Sequence, residues 1–543
     1  MDNKNYIVAL DLGSSCVKLA LGSVSDDWLT VEDVVSKEIA SGGMTRGAII
    51  NRQVVSAAIR SAVDELERNN AVRISDIHTG VSDKNIKCAT HDYFVYVSSS
   101  DGEIAREDVN KLHDGMNNVK AEDKGRILER IPQVYRVYGS KGADEVKDPV
   151  GCFGKKLGST FTFVLGDNDM IVRYEDTLRG LTPCLTAASL TAGPMFAVKA
   201  TASEEEIETG VVVLDIGRDT TDLCICKDGI VRYVRTIPLG SGDINTDIRE
   251  YGIPVGRVEG LKKSHGRALA EDITEDMTIM ASPNRKQSVS ITRKALATII
   301  EYRLKDIITF VKEEITDSGY KDKLQGGIIL LTGGGANLAG IDKLFEREMG
   351  MEVRIARPDM HITPAEGKED LLEKPEYASV IGMLQNAMAN KHYNTVEVIR
   401  SIGVSTPRPE PKVVTPTPNV ASKVEKVMPT AAPESVKTPV VEKPKAEMPK
   451  EEPRVERPVV EQTTPAVVEQ TTPVMTPPAI EEERPKNALI DKVQGKMNDL
   501  LGGGKQPSDE SDDDNIATPK KKSLLERLRD YIFPEDVEGD DYN

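Results

Sequence analysis

The chain has 543 residues, a formal net charge of −18 and only 4% aromatic residues. That acidity excludes nucleic acid as a main partner, because a surface that grips a phosphate backbone needs clustered Lys and Arg. Its six cysteines form no Cys-x-x-Cys pair and no histidine completes a zinc set, so reduced core thiols are expected. The N-terminus runs straight into a strand without a signal-peptide pattern, and no apolar run approaches the roughly 20 residues needed to span a bilayer.

In chain order, the first element is a run of β-branched and aliphatic residues ending in Asp11-Leu12-Gly13-Ser14-Ser15, after which a second strand carries Lys18. A glycine there lets the backbone approach an anion, and successive N–H groups and hydroxyls can point at its oxygens. Residues 31–36 continue strand character, and Gly42-Gly43 with Thr45-Arg46-Gly47 reads as a loop. Residues 51–69 predict an amphipathic helix opened by Asn51, with Val54, Val55, Ala58, Ile59, Ala62, Val63 and Leu66 on one face. Residues 74–80 read as a buried strand, so this part is α/β with crossovers. From about 84 to 163 the pattern changes. A strand over 92–98, a helix opening at Arg106, and the stretches 131–138 and 147–151 predict a small α+β module inserted into the first domain. It carries no phosphate loop or nucleophile, so it is an interaction module or an inert elaboration.

The strand–turn–strand grammar returns at 210–223, where Val211 to Leu214 climb into Asp215-Ile216-Gly217-Arg218-Asp219-Thr220-Thr221-Asp222. Two such hairpins about two hundred residues apart look like halves of one phosphate clamp, with Asp11 and Asp215 each placed to hold a hydrated divalent cation. Gly240-Ser241-Gly242 then opens a helix whose N-terminus can receive anionic oxygens. Near 258–266 a helical stretch sets Glu259, Lys262 and Lys263 within a turn of one another, and 291–316 predicts a long amphipathic helix. A third buried strand runs into Thr332-Gly333-Gly334-Gly335-Ala336-Asn337, where bare backbone would accept a planar ring or a ribose.

Two Asp-x-Gly hairpins and a Thr-Gly-Gly strand, in that order, resemble the actin/Hsp70/sugar-kinase superfamily. Within it the chain is most similar to the bacterial cell-division family FtsA. The insertion at about 84–163 with Ile131-Pro132-Gln133-x-Tyr135 and Asp148-Pro149-Val150-Gly151, the stretch Glu259-x-x-Lys262-x-x-His265-Gly266, Leu331-Thr332-Gly333-Gly334, and a linker ending in a short amphipathic helix carry that resemblance. It implies an α/β, actin-like (RNase H-like) two-lobed fold with an inserted α+β subdomain, then a disordered linker and a C-terminal amphipathic helix. Asp11, Gly13, Ser14, Ser15 and Lys18 would hold the β- and γ-phosphates of ATP. Asp215, Gly217, Thr220 and Thr221 would form the opposing loop, with Mg²⁺ held through water near Asp11 and Asp215. Gly240 and Gly242 would lie on the phosphate side. Glu259, Lys262, Gly333, Gly334, Gly335 and Asn337 would border the adenosine. The chain departs from the family's Asp-Ile-Gly-Gly-Gly-Thr at Arg218 and Asp219. Asp219 would repel phosphate unless Mg²⁺ or Arg218 compensates, so binding is expected with at most weak hydrolysis.

The expected layout is lobe 1 at 1–83 and 166–203 around the insertion 84–165. Lobe 2 follows at 204–244, with an outer subdomain at 245–310 and a return to lobe 1 within 311–400. Residues 401–486 hold seventeen prolines to residue 485 and a direct repeat at 459–465 and 467–473, a composition that cannot offset chain entropy. The roughly 120 residues before the last helix would span about 60 Å as a flexible chain. Within them, 487–501 has helical spacing and suits a membrane, a partner protein or folding on binding alike; 502–519 is further linker. At 520–534, Ser523 and Glu526 make a capping box. Leu524, Leu525, Leu528, Tyr531, Ile532 and Phe533 form an apolar face beside Lys521, Lys522, Arg527 and Arg529, which suits an anionic membrane interface. Docking on protein is the competing reading; the acidic ending 535–543 argues against a membrane by repelling the same lipids, and the resemblance shifts the balance back toward it. The resemblance implies a scaffold that polymerises and tethers the tubulin-like division protein FtsZ to the inner face of the cytoplasmic membrane at the division site. FtsZ would bind the 245–305 region, and other division proteins the insertion. The alternative is a small-molecule kinase of the same superfamily, against which no second-substrate signature is present. A chaperone would need a β-rich C-terminal domain, where this chain has a disordered composition.

Overall fold

The computed structural model describes residues 5–398 apart from 122–123, 282–288 and 395. The expected linker, the 487–501 segment, the helix at 520–534 and the acidic tail lie outside the described residues.

Lobe 1 begins with β1 (Asn5–Leu12) and β2 (Cys16–Ser25), an antiparallel hairpin in which Asp11 stands opposite Lys18. β3 (Trp28–Glu38) extends the meander, and a short hairpin of β4 (Met44–Thr45) and β5 (Ala48–Ile49) leads into α1 (Arg52–Asn70). The side chain of Asn51 accepts the N–H groups of Gln53 and Val54, satisfying donors that have no partner within the helix. Val55, Ala58, Ile59, Ala62, Val63 and Leu66 form its buried stripe, and the larger of these contribute about 1.5–3 kcal/mol each by leaving water. The helix stops where Ala71 turns left-handed. β6 (Val72–Ile74) follows, then β7 (Asp76–Val81), which runs parallel to β1.

The insertion consists of β8 (Lys87–Tyr96), α2 (Arg106–Asn117), β9 (Gly125–Gly139), β10 (Gly142–Val146) and β11 (Lys156–Asp167). Its sheet has the order β10-β9-β11-β8, all antiparallel. Val109, Leu112 and Met116 of α2 close a core with Val137, Leu157, Phe161 and Phe163. The chain re-enters lobe 1 through α3 (Asn168–Arg179), β12 (Thr186–Ala192) and α4 (Phe196–Thr201), and α5 (Glu204–Thr209) leads to lobe 2.

Lobe 2 repeats the opening pattern with β13 (Val211–Ile216), β14 (Thr221–Lys227) and β15 (Ile230–Ile237). Its outer part holds α6 (Ser241–Glu250), α7 (Val255–His265), the hairpin β16 (Thr278–Met280) and β17 (Ser290–Thr292), and α8 (Arg293–Asp317). β18 (Ile328–Thr332), α9 (Ile341–Met349) and β19 (Glu352–Ile355) complete it. β20 (Ile362–Pro364), α10 (Ala378–Ala389) and β21 (Val396–Val398) return to lobe 1. The lobe 1 sheet has the order β12-β7-β1-β2-β3-β20 and the lobe 2 sheet β15-β14-β13-β18-β19. In each, an antiparallel meander is continued by a parallel strand beside its first member, so both Asp-x-Gly turns occupy the same place in their sheets. Val380, Ile381 and Leu384 of α10 bury against Ile7, Ala9 and Ala20.

Three details differ from the expectation. α6 starts at Ser241 and α8 ends at Asp317, so the outer elements overrun the limits 245 and 310 at both ends, because a continuous helix is not divided where a motif ends. β9 is a single 15-residue strand, longer than the expected stretch at 131–138. The insertion, though within the sequence of lobe 1, docks on lobe 2 as well as on lobe 1, where Ala192 and Ala197 join the same cluster. Ile86 and Val164 share a buried cluster with Val211, Val213 and Val234, and the Cys88 thiol accepts the Val234 N–H (3.2 Å). All six cysteines are free, with Cys224 and Cys226 buried side by side on β14, their sulfurs 4.0 Å apart.

Candidate functional site

The two Asp-x-Gly turns and the Thr-Gly-Gly loop converge where the lobes meet. In the first turn, Gly13 N–H donates to Cys16 O (3.1 Å) and closes the loop, with Ser14 half-buried and Ser15 exposed. Lys18 Nζ lies 2.7 Å from Asp11 Oδ2, both mostly shielded. Burial alone would lower the ammonium's pKa, but Asp11 and Asp215 outweigh it and raise it, so Lys18 is a fixed cation. In the second turn Gly217 N–H donates to Thr220 O (2.8 Å), the same closure as in the first.

Asp215 is reached from lobe 1, since Ser379 Oγ at the start of α10 donates to its Oδ2 (2.5 Å). Burial raises the Asp215 carboxyl, against the opposing pull of Lys18 and Ser379. Asp222 stands opposite Asp215 in the hairpin register and takes the Thr236 hydroxyl at 2.7 Å. Burial and then the Asp215 charge push its pKa up to about 7. Asp222 and Ser379 were not among the residues singled out from sequence. Asp222 could have been, as the third acid of the motif; Ser379 left no local signal. Among the described residues no group of three His, Cys, Asp or Glu is placed to ligate a metal directly. Asp11 and Asp215 suit contact through water.

Thr221 does not face the cleft. It is fully buried, and its hydroxyl donates to Leu239 O (2.9 Å), tying β14 to the connection before α6. Gly240 and Gly242 are pressed against the second turn: a Cβ on either would come within 2.5 and 2.8 Å of Arg218 O. Gly242 N–H donates to that carbonyl at 2.6 Å. These glycines therefore seat the start of α6 on the loop. On α7, Lys262 is buried and binds Ser241 O (2.9 Å) and Glu259 (3.0 Å), while Asn245 Nδ2 donates to Glu259 (2.7 Å). Burial lowers Lys262 while Glu259 opposes; Glu259, also penalised by burial, is nonetheless held low by Asn245 and Lys262.

Gly333 has φ +82°, and a Cβ there would lie 2.1 Å from Asp215 Oδ1, so only glycine lets this loop close over the aspartate. Gly334 is exposed and Gly335 is buried against Ile216. Asn337 turns outward and gives its amide to Glu376 (2.9 Å).

The departure at residues 218–219 has a structural answer. Asp219 is paired with Arg218 (3.6 Å), and Arg46 of lobe 1 reaches across to it, its backbone N–H to Oδ2 (3.3 Å) and its guanidinium to Asp219 O (2.9 Å). The same guanidinium holds Asp243 through both carboxylate oxygens (2.6 and 2.8 Å). Arg46 read from sequence only as part of a loop, because its partners lie 173 and 197 residues away.

Fold and site together define a two-lobed, actin-like protein with a glycine-lined acidic cleft between its lobes and an inserted α+β subdomain. The family described as "Cell division protein FtsA" matches residues 212–382, and that described as "SHS2 domain inserted in FTSA" matches residues 84–165. The cell division protein FtsA of Bacillus subtilis (strain 168) is 30% identical over 401 residues, which cover 72% of this chain and 85% of that protein. That of Escherichia coli (strain K12) is 27% identical over 413 residues, 74% and 95% of the two chains. A solved chain of a PilM-PilN type IV pilus biogenesis complex is 16% identical with a TM-score of 0.47, covering 70% of this chain and 98% of that one. The chain belongs to the FtsA family, and its role is in cell division.

Proposed function

We propose that this protein is a cell-division scaffold that binds Mg²⁺·ATP between its lobes and self-associates into filaments. It holds FtsZ at the inner face of the cytoplasmic membrane at the division site and helps to recruit further division proteins through the insertion. The observation that carries the reading is the convergence of Asp11, Lys18, Asp215 and Gly333 from three separate strand ends on one point. Asp11 and Asp215, with the partly protonated Asp222 beside them, leave against one ammonium a negative surplus that a hydrated divalent cation with its phosphates would balance. Gly13 and Gly217 leave the backbone of both turns open to phosphate, and Gly333 to Gly335 with Glu259 and Lys262 suit the nucleoside side. Thr221 belongs to the frame of this site and not to its surface. With the Asp219 carboxylate facing Arg218 and the Arg46 backbone N–H, the loop can accept phosphate without the family's glycines. Given Arg218 and Asp219 in place of those glycines, the nucleotide steadies two lobes and turns over slowly at most.

The membrane part rests on residues 520–534. The test is co-sedimentation of the full chain and purified FtsZ with anionic vesicles in the presence of ATP. Removal of residues 523–543 or Leu528→Glu should leave both proteins in the supernatant. Undiminished recruitment by the truncated chain would sink the tether.

A further inference from the structure

We propose that the Thr45-Arg46-Gly47 turn is an interlobe latch: Arg46 of lobe 1 clasps Asp243 and Asp219 of lobe 2 and sets how fast a bound nucleoside triphosphate leaves. This rests on the nucleotide reading above and adds to it a positioning residue and a means of control.

The latch spans the two lobes. Met44 and Ile49, flanking the turn, are buried in the lobe 1 core, while Asp219 and Asp243 belong to the β13–β14 turn and to α6 of lobe 2. Its ends are fixed before they meet. Gly47 has φ +81° and sits so close to Ser82 that a Cβ would be 1.9 Å from its carbonyl oxygen, and both Ile50 and Asn51 N–H groups return to Gly43 O. On the other side the Asp243 carboxylate already accepts Gly240 N–H (2.8 Å) at the start of α6. A contact between two preorganised groups spends little of its energy on ordering them.

The chemistry suits a clasp that holds and can still release. Arg46 and Asp243 side chains are 18% and 15% exposed and meet as a two-point fork. Such a pair is stronger and less screened by salt than a surface ion pair. The turn also touches both phosphate loops, since Gly47 N–H lies 3.4 Å from Ser14 Oγ in the first and Arg46 binds Asp219 in the second. Other contacts from these loops to the returning chain, Ser379 to Asp215, Asn337 to Glu376 and Thr332 Oγ1 to Pro375 O (2.7 Å), fall where the chain itself passes between lobes and can act as the hinge. Spreading the phosphate loops apart therefore requires Arg46 to let go.

The test loads the full-length protein with a fluorescent ATP analogue and Mg²⁺, then follows release after a chase with unlabelled ATP. Arg46→Ala and Asp243→Asn should each speed release about tenfold, the size of a typical coupling between sites. The double variant should be no faster than either single one, because both remove the same contact. Arg46→Lys, which keeps the charge but loses the fork, should fall between. Unchanged release in Arg46→Ala, or effects that simply add, would overturn the latch. Hydrogen exchange without nucleotide gives a second reading: amides of 44–50 and 217–222 should exchange faster in Arg46→Ala while β1 and β13 stay protected. If the wild-type chain fails to retain the analogue, the nucleotide reading falls, and the exchange pattern alone then decides whether Arg46 joins the lobes.

Discussion

Asp219 illustrates how a residue's meaning depends on partners that lie far away in the chain. By itself, an aspartate in a phosphate loop is a source of repulsion; between Arg218 and Arg46 it becomes part of a neutral bridge. His78 on β7 shows the same dependence in a titratable group. It is 3% exposed, its Nδ1 lies 2.7 Å from Ser189 Oγ, and its ring stacks on His392 at 6.4 Å beside Asp76 and Asn394. Burial depresses its pKa below 6.5, against the raising pull of the His392 backbone and Asp76. The unfolded chain therefore takes up this proton first. Stability is complete above the unfolded value of about 6.5 and falls as pH drops from there through the depressed folded value. The melting temperature should fall as pH is lowered from about 6.5, and His78→Gln should flatten that slope. An identical slope in the variant would show that this imidazole carries none of the acid sensitivity.

At the scale of elements, Gly333 is the position where the site and the fold make the same demand. Its left-handed φ and the 2.1 Å approach of an added Cβ to Asp215 Oδ1 mean that Gly333→Ala must push β18 away from β13. The expected cost is about 1–3 kcal/mol from overpacking and strain, read as a lowered denaturant midpoint. Loss of ATP binding by calorimetry should be disproportionate to that change; retained affinity would take this loop out of the site. The glycine loops and the strands feeding them were legible in the sequence because each is local, a β-branched run ending in a residue type that its own backbone requires. α1 was legible for a similar reason, with its cap and stripe adjacent in the chain. Thr221 was misjudged because neighbouring residues of a strand face opposite sides, and which side held the cleft was not readable. Ser379 and Arg46 were invisible as site residues, since pairing over 164 or 197 positions leaves no mark on local pattern.

On the scale of the whole molecule, the insertion is what makes this two-lobed chain more than a pair of matching sheets. Lobe 1 encodes it, yet it packs on β15 of lobe 2, so it can register any change in how the lobes are set. The polar centre of that junction is Arg232, almost fully buried, which binds Gln133 of β9 (2.9 Å) and Asp228 (3.0 Å), while Gln133 also donates to Val231 O (3.1 Å). Ile86, Val164, Val211 and Val234 form the apolar part of the insertion's junction, and with Gln133 itself buried an unpaired amide is costly. Arg232→Ala leaves the Gln133 carbonyl oxygen without its partner but spares Asp228, which is half-exposed and can turn to water. The variant should therefore lose about 1–3 kcal/mol rather than unfold outright. That loss should be concentrated at the junction: amides of β9 and β15 should exchange faster, while those of β2 and β3 on the far side of the lobe 1 sheet keep their protection. If the loss instead spreads evenly over both lobes, the insertion is an integral part of one cooperative unit. If nothing changes, the apolar contacts alone hold the insertion in place and the Arg232–Gln133 bond adds nothing to it.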